Sequence, residues 1–180
     1  MISVQDYLFF LDEELDGMVR IITALGDDLA NQRPDIPGSN SPYAILTHCL
    51  GVMAYWGGYM IAGRTVERDR DAEFRASGPV TDLLNRTDQA RQQLRADLSN
   101  FEPAAPPRGV PNPAFVPGGT SDADLPLGRT QGGALIHIYS ELAQHRGQME
   151  SCRDVLLAPW GRLTREPKTA PQPDNRYQAT

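Results

Sequence analysis

The segment "HIYSELAQHRGQME", residues 137–150, decides the fold class. It holds two of the chain's three histidines and two glutamates, beside Leu135, Ile138, Leu142 and Met149 at helical spacing. His137, Glu141 and His145 stand four residues apart, and positions four apart on an α-helix share nearly one face. The spacing predicts a helix over about 130–157, with a polar stripe beside an apolar edge. Polar groups next to a core must be paired or must bind something. Glu141 and His145 project from adjacent turns in parallel and can ligate one metal ion. Otherwise the stripe is a polar seam.

A metal site needs a third ligand from another element. His48 is the remaining histidine, and it sits in "YAILTHCLGVMAYWGGYMIAG", residues 43–63, which contain neither acid nor base. Ser41 followed by Pro42 reads as an N-cap with proline in the first turn. The helix predicted from there, about 42–61, is apolar nearly all round and belongs between other helices. By itself His48 reads as a hydrogen-bonded core histidine or as a ligand. Together, His48, Glu141 and His145 make a His₂Glu set, and three protein ligands leave a fourth tetrahedral position open, as in catalytic zinc sites. The one carboxylate leaves the site at about +1. A thiolate in the open position would bring it near zero and be activated as a nucleophile, whereas a water there would make a hydrolase.

The rest of the chain supplies more helices. Val4, Leu8, Leu11, Leu15, Met18, Ile22 and Leu25 form one stripe of an amphipathic helix over 4–25. "NQRPDIPGSNSP" (31–42) is a long turn, and "GRTVERDRDAEFRASG" (63–78) a charged connection. A third helix is predicted over 81–101, with Leu83, Leu84, Ala90, Leu94 and Leu98 toward the core. Residues 102–128, rich in Pro and Gly, read as a loop too long to be idle: a lid, the wall of a pocket, or a mobile segment. The tail beyond Trp160 lacks apolar periodicity and reads as disordered. There is no strand-like alternation and no internal repeat. Four helices with two long connections give an all-α four-helix bundle.

Composition sets bounds. With 180 residues and 40% apolar content the chain can bury one core. A net charge of −6 speaks against a nucleic-acid binder or a protein drawn to anionic lipid. The acidic N-terminus does not resemble a signal peptide, and no stretch is expected to reach the ~20 apolar residues of a membrane span. These features predict a cytoplasmic protein. Cys49 and Cys152 are far apart and read as buried small apolar residues rather than a disulfide.

"PGSNSPYAILTHCLGVMAYW" (37–56) and "GGALIHIYSELAQHRGQMESCRDVL" (132–156) together resemble the DinB-like superfamily of metal-binding four-helix bundles. "SELAQHRGQ" is similar in particular to the mycothiol-dependent branch, which includes maleylpyruvate isomerases and mycothiol S-transferases. The resemblance covers about residues 4–160. It implies a bundle over 1–162 with up-down-down-up topology, followed by a tail over 163–180. It implies a homodimer, a divalent ion (zinc first, with nickel, iron or manganese as alternatives) and mycothiol as co-substrate. The family's ligand set, one His from the second helix and Glu-x-x-x-His from the last, falls on His48, Glu141 and His145, which would also be the catalytic residues. The chain ends before the extra C-terminal domain of the isomerases, so the closer analogy is a thiol S-transferase acting on an electrophilic small molecule, in detoxification or in thiol exchange during biosynthesis. The alternatives are a non-catalytic metal- or small-molecule-binding dimeric stress protein and a metal-dependent hydrolase.

Four further residues are candidates for holding the co-substrate. Tyr55 stands seven residues past His48 and shares its face on an α-helix; it is either core or a wall of the site. His137 is one turn before Glu141, as an alternative ligand, a partner of a ligand, a proton carrier at the mouth of the site, or a plain surface or core histidine. Arg68 and Arg70 lie in "ERDRDAEF" (67–74), a run that reads either as solvated or as reaching a polar co-substrate. Arg146 is read as a salt-bridging residue, Gln148 as a hydrogen-bonding neighbour of His145, and Cys49, about 100° away from His48 on the wheel, as no ligand.

Overall fold

The computed structural model describes residues 3–110, 112 and 126–158. The predicted tail at 163–180 and most of the second half of the long loop lie outside them. Helix α1 (Val4–Ala30) begins at Ser3, whose hydroxyl accepts from the Asp6 N–H while the Asp6 carboxylate accepts from the Ser3 N–H. That reciprocal pair satisfies two backbone donors the helix cannot. The apolar stripe is buried as expected, with Val4 at its edge. The helix runs five residues further than the pattern predicts, through a kink at Gly26, whose φ of 63° suits glycine.

Helix α2 (Pro42–Val52) starts where Ser41 and Pro42 place it, the Ser41 hydroxyl accepting from the Ala44 N–H at 3.2 Å. It continues without interruption as a π-helix over Met53–Ala62, a change of winding that hydrophobic periodicity does not reveal. Gly63 ends it in the left-handed region, φ 75°. The expectation that no stretch approaches a membrane span needs correcting: Pro42–Ala62 is long and apolar enough by composition, but 83% of its apolar window is buried within the bundle. Its apolarity serves contact with the other helices.

The charged connection contains a short helix, α3 (Arg70–Glu73), capped by Asp69, which accepts from the Ala72 N–H. Helix α4 (Val80–Asp97) ends four residues before the predicted limit. The segment predicted as one loop over 102–128 holds another short turn, α5 (Pro126–Arg129), before α6 (Gln131–Leu157), which Thr130 caps.

Side-chain contacts give the helix directions. Tyr7 donates to the Leu135 carbonyl and Arg146 reaches Glu14, so α1 and α6 run parallel. Trp56 meets His137, and His48 meets His145, so α2 and α6 are antiparallel. Arg91 and Arg95 pair with Asp12, and the Val80 N–H donates to Asp27, so α1 and α4 are antiparallel. Four long helices in the order up-down-down-up follow, with short helices in two of the connections. Core residues from all four, among them Leu15, Trp56, Leu94 and Leu142, form one buried cluster.

Candidate metal centre

His48 lies on α2, while Glu141 and His145 lie one turn apart on α6, and the antiparallel packing of those helices brings the three together. One donor atom from each falls within 4.8 Å of the others. Both His48 Nε2 and His145 Nε2 stand 3.6 Å from Glu141 Oε2. The imidazoles meet edge to face, centroids 4.9 Å apart. His48 is buried, and the other two are half-buried.

The outer nitrogens of both rings are occupied. His48 Nδ1 lies 2.8 Å from Glu73 Oε2, and His145 Nδ1 lies 2.9 Å from Gln148 Oε1. A carboxylate accepts only, and the Gln148 oxygen accepts, so each Nδ1 carries the proton and donates. Each Nε2 lone pair is then turned to the space shared with Glu141. Two imidazole nitrogens and one carboxylate oxygen converging in this way suit a divalent ion of the zinc type. The three residues can hold such an ion.

Charge is concentrated here. Glu141 is held far below the usual carboxylate range by His145 and then His48, against the opposing effect of burial. Burial disfavours protonation of His48, but Glu141 and Glu73 outweigh it, and its pKa is raised. Burial would raise Glu73, yet His48 and Arg68 hold its pKa below the ordinary value.

Glu73 is the residue sequence reasoning missed. It lies 25 positions from His48 in a charged run that reads either as solvated or as reaching a co-substrate through its arginines, and it is buried. The capped turn of α3 swings it inward. Phe74, next in the chain, stacks on the His48 ring with centroids 4.4 Å apart. Arg68 grips Glu73 with two bonds, Nε to Oε1 at 2.8 Å and Nη2 to Oε2 at 3.0 Å. Gly51 makes room: a Cβ there would lie 1.9 Å from Glu73 Oε1.

The other candidates fall around this core. Arg68 is brought to the Nδ1 side of His48, its side chain 4% exposed, with its guanidinium 5.8 Å from the Tyr55 ring centroid. Arg70 instead packs over Phe74, 5.2 Å from that ring's centroid. Tyr55 is buried and its hydroxyl accepts from the Asn112 N–H at 2.8 Å. With Tyr59, Val66, Arg68, Val110 and Asn112 it lines a recess of about 260 Å³. The described part of the long loop thus forms a wall over the π-helix, pinned further by the Arg108 N–H to the Met60 carbonyl at 2.7 Å. His137 stands outside the three-ligand cluster, half-buried against the edge of Trp56, and burial lowers its pKa. Arg146 makes the expected ion pairs, with Glu14 and Glu150. Cys49 is buried and is not among the clustered ligands, and burial pushes its thiol well up.

A family model of the DinB superfamily matches residues 11–149, a span that includes all three clustered residues. The chain belongs to the DinB superfamily. Neither a curated protein nor a solved structure matches it. The superfamily assignment agrees with the helical fold and with a polar cluster at the junction of the second and last long helices.

Proposed function

We propose that this DinB protein is a divalent-metal-dependent transferase for a low-molecular-weight thiol, with mycothiol the thiol implied by the resemblance of "SELAQHRGQ". The observation that carries the proposal is the convergence of His48 Nε2, His145 Nε2 and Glu141 Oε2, with both Nδ1 atoms engaged elsewhere. His48, Glu141 and His145 would hold the ion. When bound, the ion would lower the pKa of a thiol and favour its thiolate.

The chain's own residues would do the rest. Glu141 supplies the single negative charge among the ligands, which leaves the centre near +1 and receptive to one anion. The burial of His48 under Phe74 keeps water from that side of the ring. The recess lined by Tyr55, Tyr59, Arg68 and Asn112 offers ring faces and polar groups suited to the hydroxyl-rich part of the thiol. In the reaction, the sulfur forms a bond to an electrophilic carbon of the acceptor. The acceptor's leaving group departs with the electron pair of the bond that breaks, and the thiol proton passes to solvent. The same reading makes the protein cytoplasmic and homodimeric, and sedimentation would test the dimer.

A hydrolase is the second reading, favoured by one observation. His137 lies one turn from Glu141, and burial lowers its pKa, which favours the neutral form that a base needs. One experiment separates the two. The chain is loaded with cobalt in place of zinc and titrated with mycothiol. A sulfur-to-cobalt charge-transfer band that appears with mycothiol, and not with an analogue lacking the thiol, is expected. Stoichiometric cobalt without that band would overturn the transferase and favour the hydrolase.

A further inference from the structure

We propose that Glu73 and Arg68 are positioning residues of the metal centre, an inference that rests on the reading of His48, Glu141 and His145 as ligands. An imidazole can turn about its χ angles and can bind through either nitrogen. A carboxylate on the second nitrogen removes both freedoms and makes the ring a stronger donor. Glu73 is placed for this at His48 Nδ1, 2.8 Å away.

The carboxylate is itself held. Arg68 takes both oxygens of Glu73, in the two-pronged geometry only a guanidinium provides. Asp69 caps the turn that carries Glu73, and the neighbouring Phe74 ring lies flat on His48. Gly51 leaves the approach open on the α2 side. The His48–Glu73 pair is therefore held by Arg68 on the carboxylate and by Phe74 on the ring.

Charge explains why an arginine accompanies the glutamate. A second carboxylate beside His48, added to Glu141, would cancel the charge of a divalent ion and weaken its hold on an incoming anion. Arg68 neutralises Glu73, so the pair orients His48 while leaving the centre near +1. His145 Nδ1 instead donates to the neutral Gln148 oxygen. The two histidines are thus unequal, with His48 the more firmly oriented. The stretch 67–74, read from sequence either as solvated or as reaching a polar co-substrate, instead supports His48 through Arg68 and Glu73.

The test uses the full chain and metal binding rather than turnover. Cobalt affinity and the visible absorption of bound cobalt are measured for the natural protein, Glu73→Ala, Glu73→Gln and Arg68→Ala. Glu73→Ala should still bind one ion but with affinity lowered about 10–100-fold. Glu73→Gln should lose less, because its amide oxygen still accepts from Nδ1. Both should shift the cobalt bands, which a purely structural role of Glu73 would leave in place. In the zinc-loaded natural chain, long-range ¹H–¹⁵N spectra should show the His48 proton on Nδ1, a measurement that requires no variant to fold. Zinc bound through Nδ1 would overturn the proposal. So would affinity within twofold of natural and unchanged bands in Glu73→Ala, with the ligand assignment left standing. A natural chain that takes up no cobalt would overturn the ligand assignment and this inference with it.

Discussion

At the scale of single residues, the site is as much a matter of what is absent as of what is present. A Cβ at Gly51 would lie 1.9 Å from Glu73 Oε1 and 2.5 Å from its Cδ. That carboxylate cannot swing aside without giving up Arg68 and His48. Gly51→Ala should therefore destabilise the fold by about 1–3 kcal/mol and lower cobalt affinity as well. Gly57→Ala is the natural comparison. Its Cβ would meet Leu94 Cδ1 at 2.4 Å, the far end of a flexible apolar side chain. It should disturb packing and leave cobalt affinity alone. Urea melts and cobalt titrations of both variants check this, and equal cobalt affinity in the two would show that Glu73 is not wedged against Gly51.

The protonation of His48 gives a second prediction at this scale. Its pKa is raised in the ion-free protein, because Glu141 and Glu73 outweigh burial. A raised folded-state pKa adds stability that is fully present below the unfolded value, about 6.5 for imidazole. That stability is lost as pH rises through the folded value. Metal binding runs the other way, since the ion must displace the proton. Stability of the ion-free chain should fall, and apparent zinc affinity should rise, across the same window above about 6.5. Melts and zinc titrations over a pH series would show it, and parallel rather than opposed trends would contradict the assignment of His48. The three clustered residues were legible in sequence because a helix repeats a face every four residues, and because histidine is rare here. Glu73 was not legible, because its inward turn depends on Asp69, Gly51 and Arg68 acting together, and a charged run carries no period that would reveal it.

At the scale of elements, the local chemistry of helix ends was readable and the winding was not. Ser41 before Pro42 announced α2, and the stripe from Val4 to Leu25 announced α1. The π-helix over Met53–Ala62 was invisible, since Tyr55, Trp56, Met60 and Ile61 would be buried under either winding of so apolar a segment. Its end is held by specific contacts instead. The Arg64 N–H donates to the Gly58 carbonyl at 2.8 Å, and the Arg64 guanidinium grips buried Asp97 on α4. Gly63 sits at φ 75°, and a Cβ there would stand 3.3 Å from the Arg108 side chain. Gly63→Ala should cost roughly 1–2 kcal/mol from the left-handed backbone alone. At the start of α1, Ser3→Ala should cost about 1 kcal/mol through loss of the N-cap. Ser3 acts through Asp6, and the Gly63 end through Gly58 and Arg108, so with different partners their effects in urea melts should add. Strong non-additivity would mean that the ends of α1 and of the π-helix are coupled through the core.

At the scale of the whole molecule, the cluster of His48, Glu141 and His145 joins α2 to α6, and the ion pairs of Arg91 and Arg146 join α1 to α4 and α6. The helix directions that create the site come from these cross-helix contacts, and no single segment's pattern contains them. The cluster of buried core residues draws on every long helix and is built without His48, Glu141 or His145. A metal should therefore add stability without being required for folding. At an ion concentration 100 times the dissociation constant, that gain is about 2.7 kcal/mol. For a chain of this size each kcal/mol moves the melting temperature by about 2–4 °C, so chelation should lower it by about 5–11 °C. Far-UV circular dichroism at room temperature should not change on chelation. In His48→Ala, zinc should no longer raise the melting temperature. A chain that unfolds outright when the ion is removed would place the metal among the structural supports of the bundle. A His48→Ala variant that zinc stabilises as well as the natural protein would remove His48 from the centre and leave only the Glu141–His145 pair on α6 to account for binding.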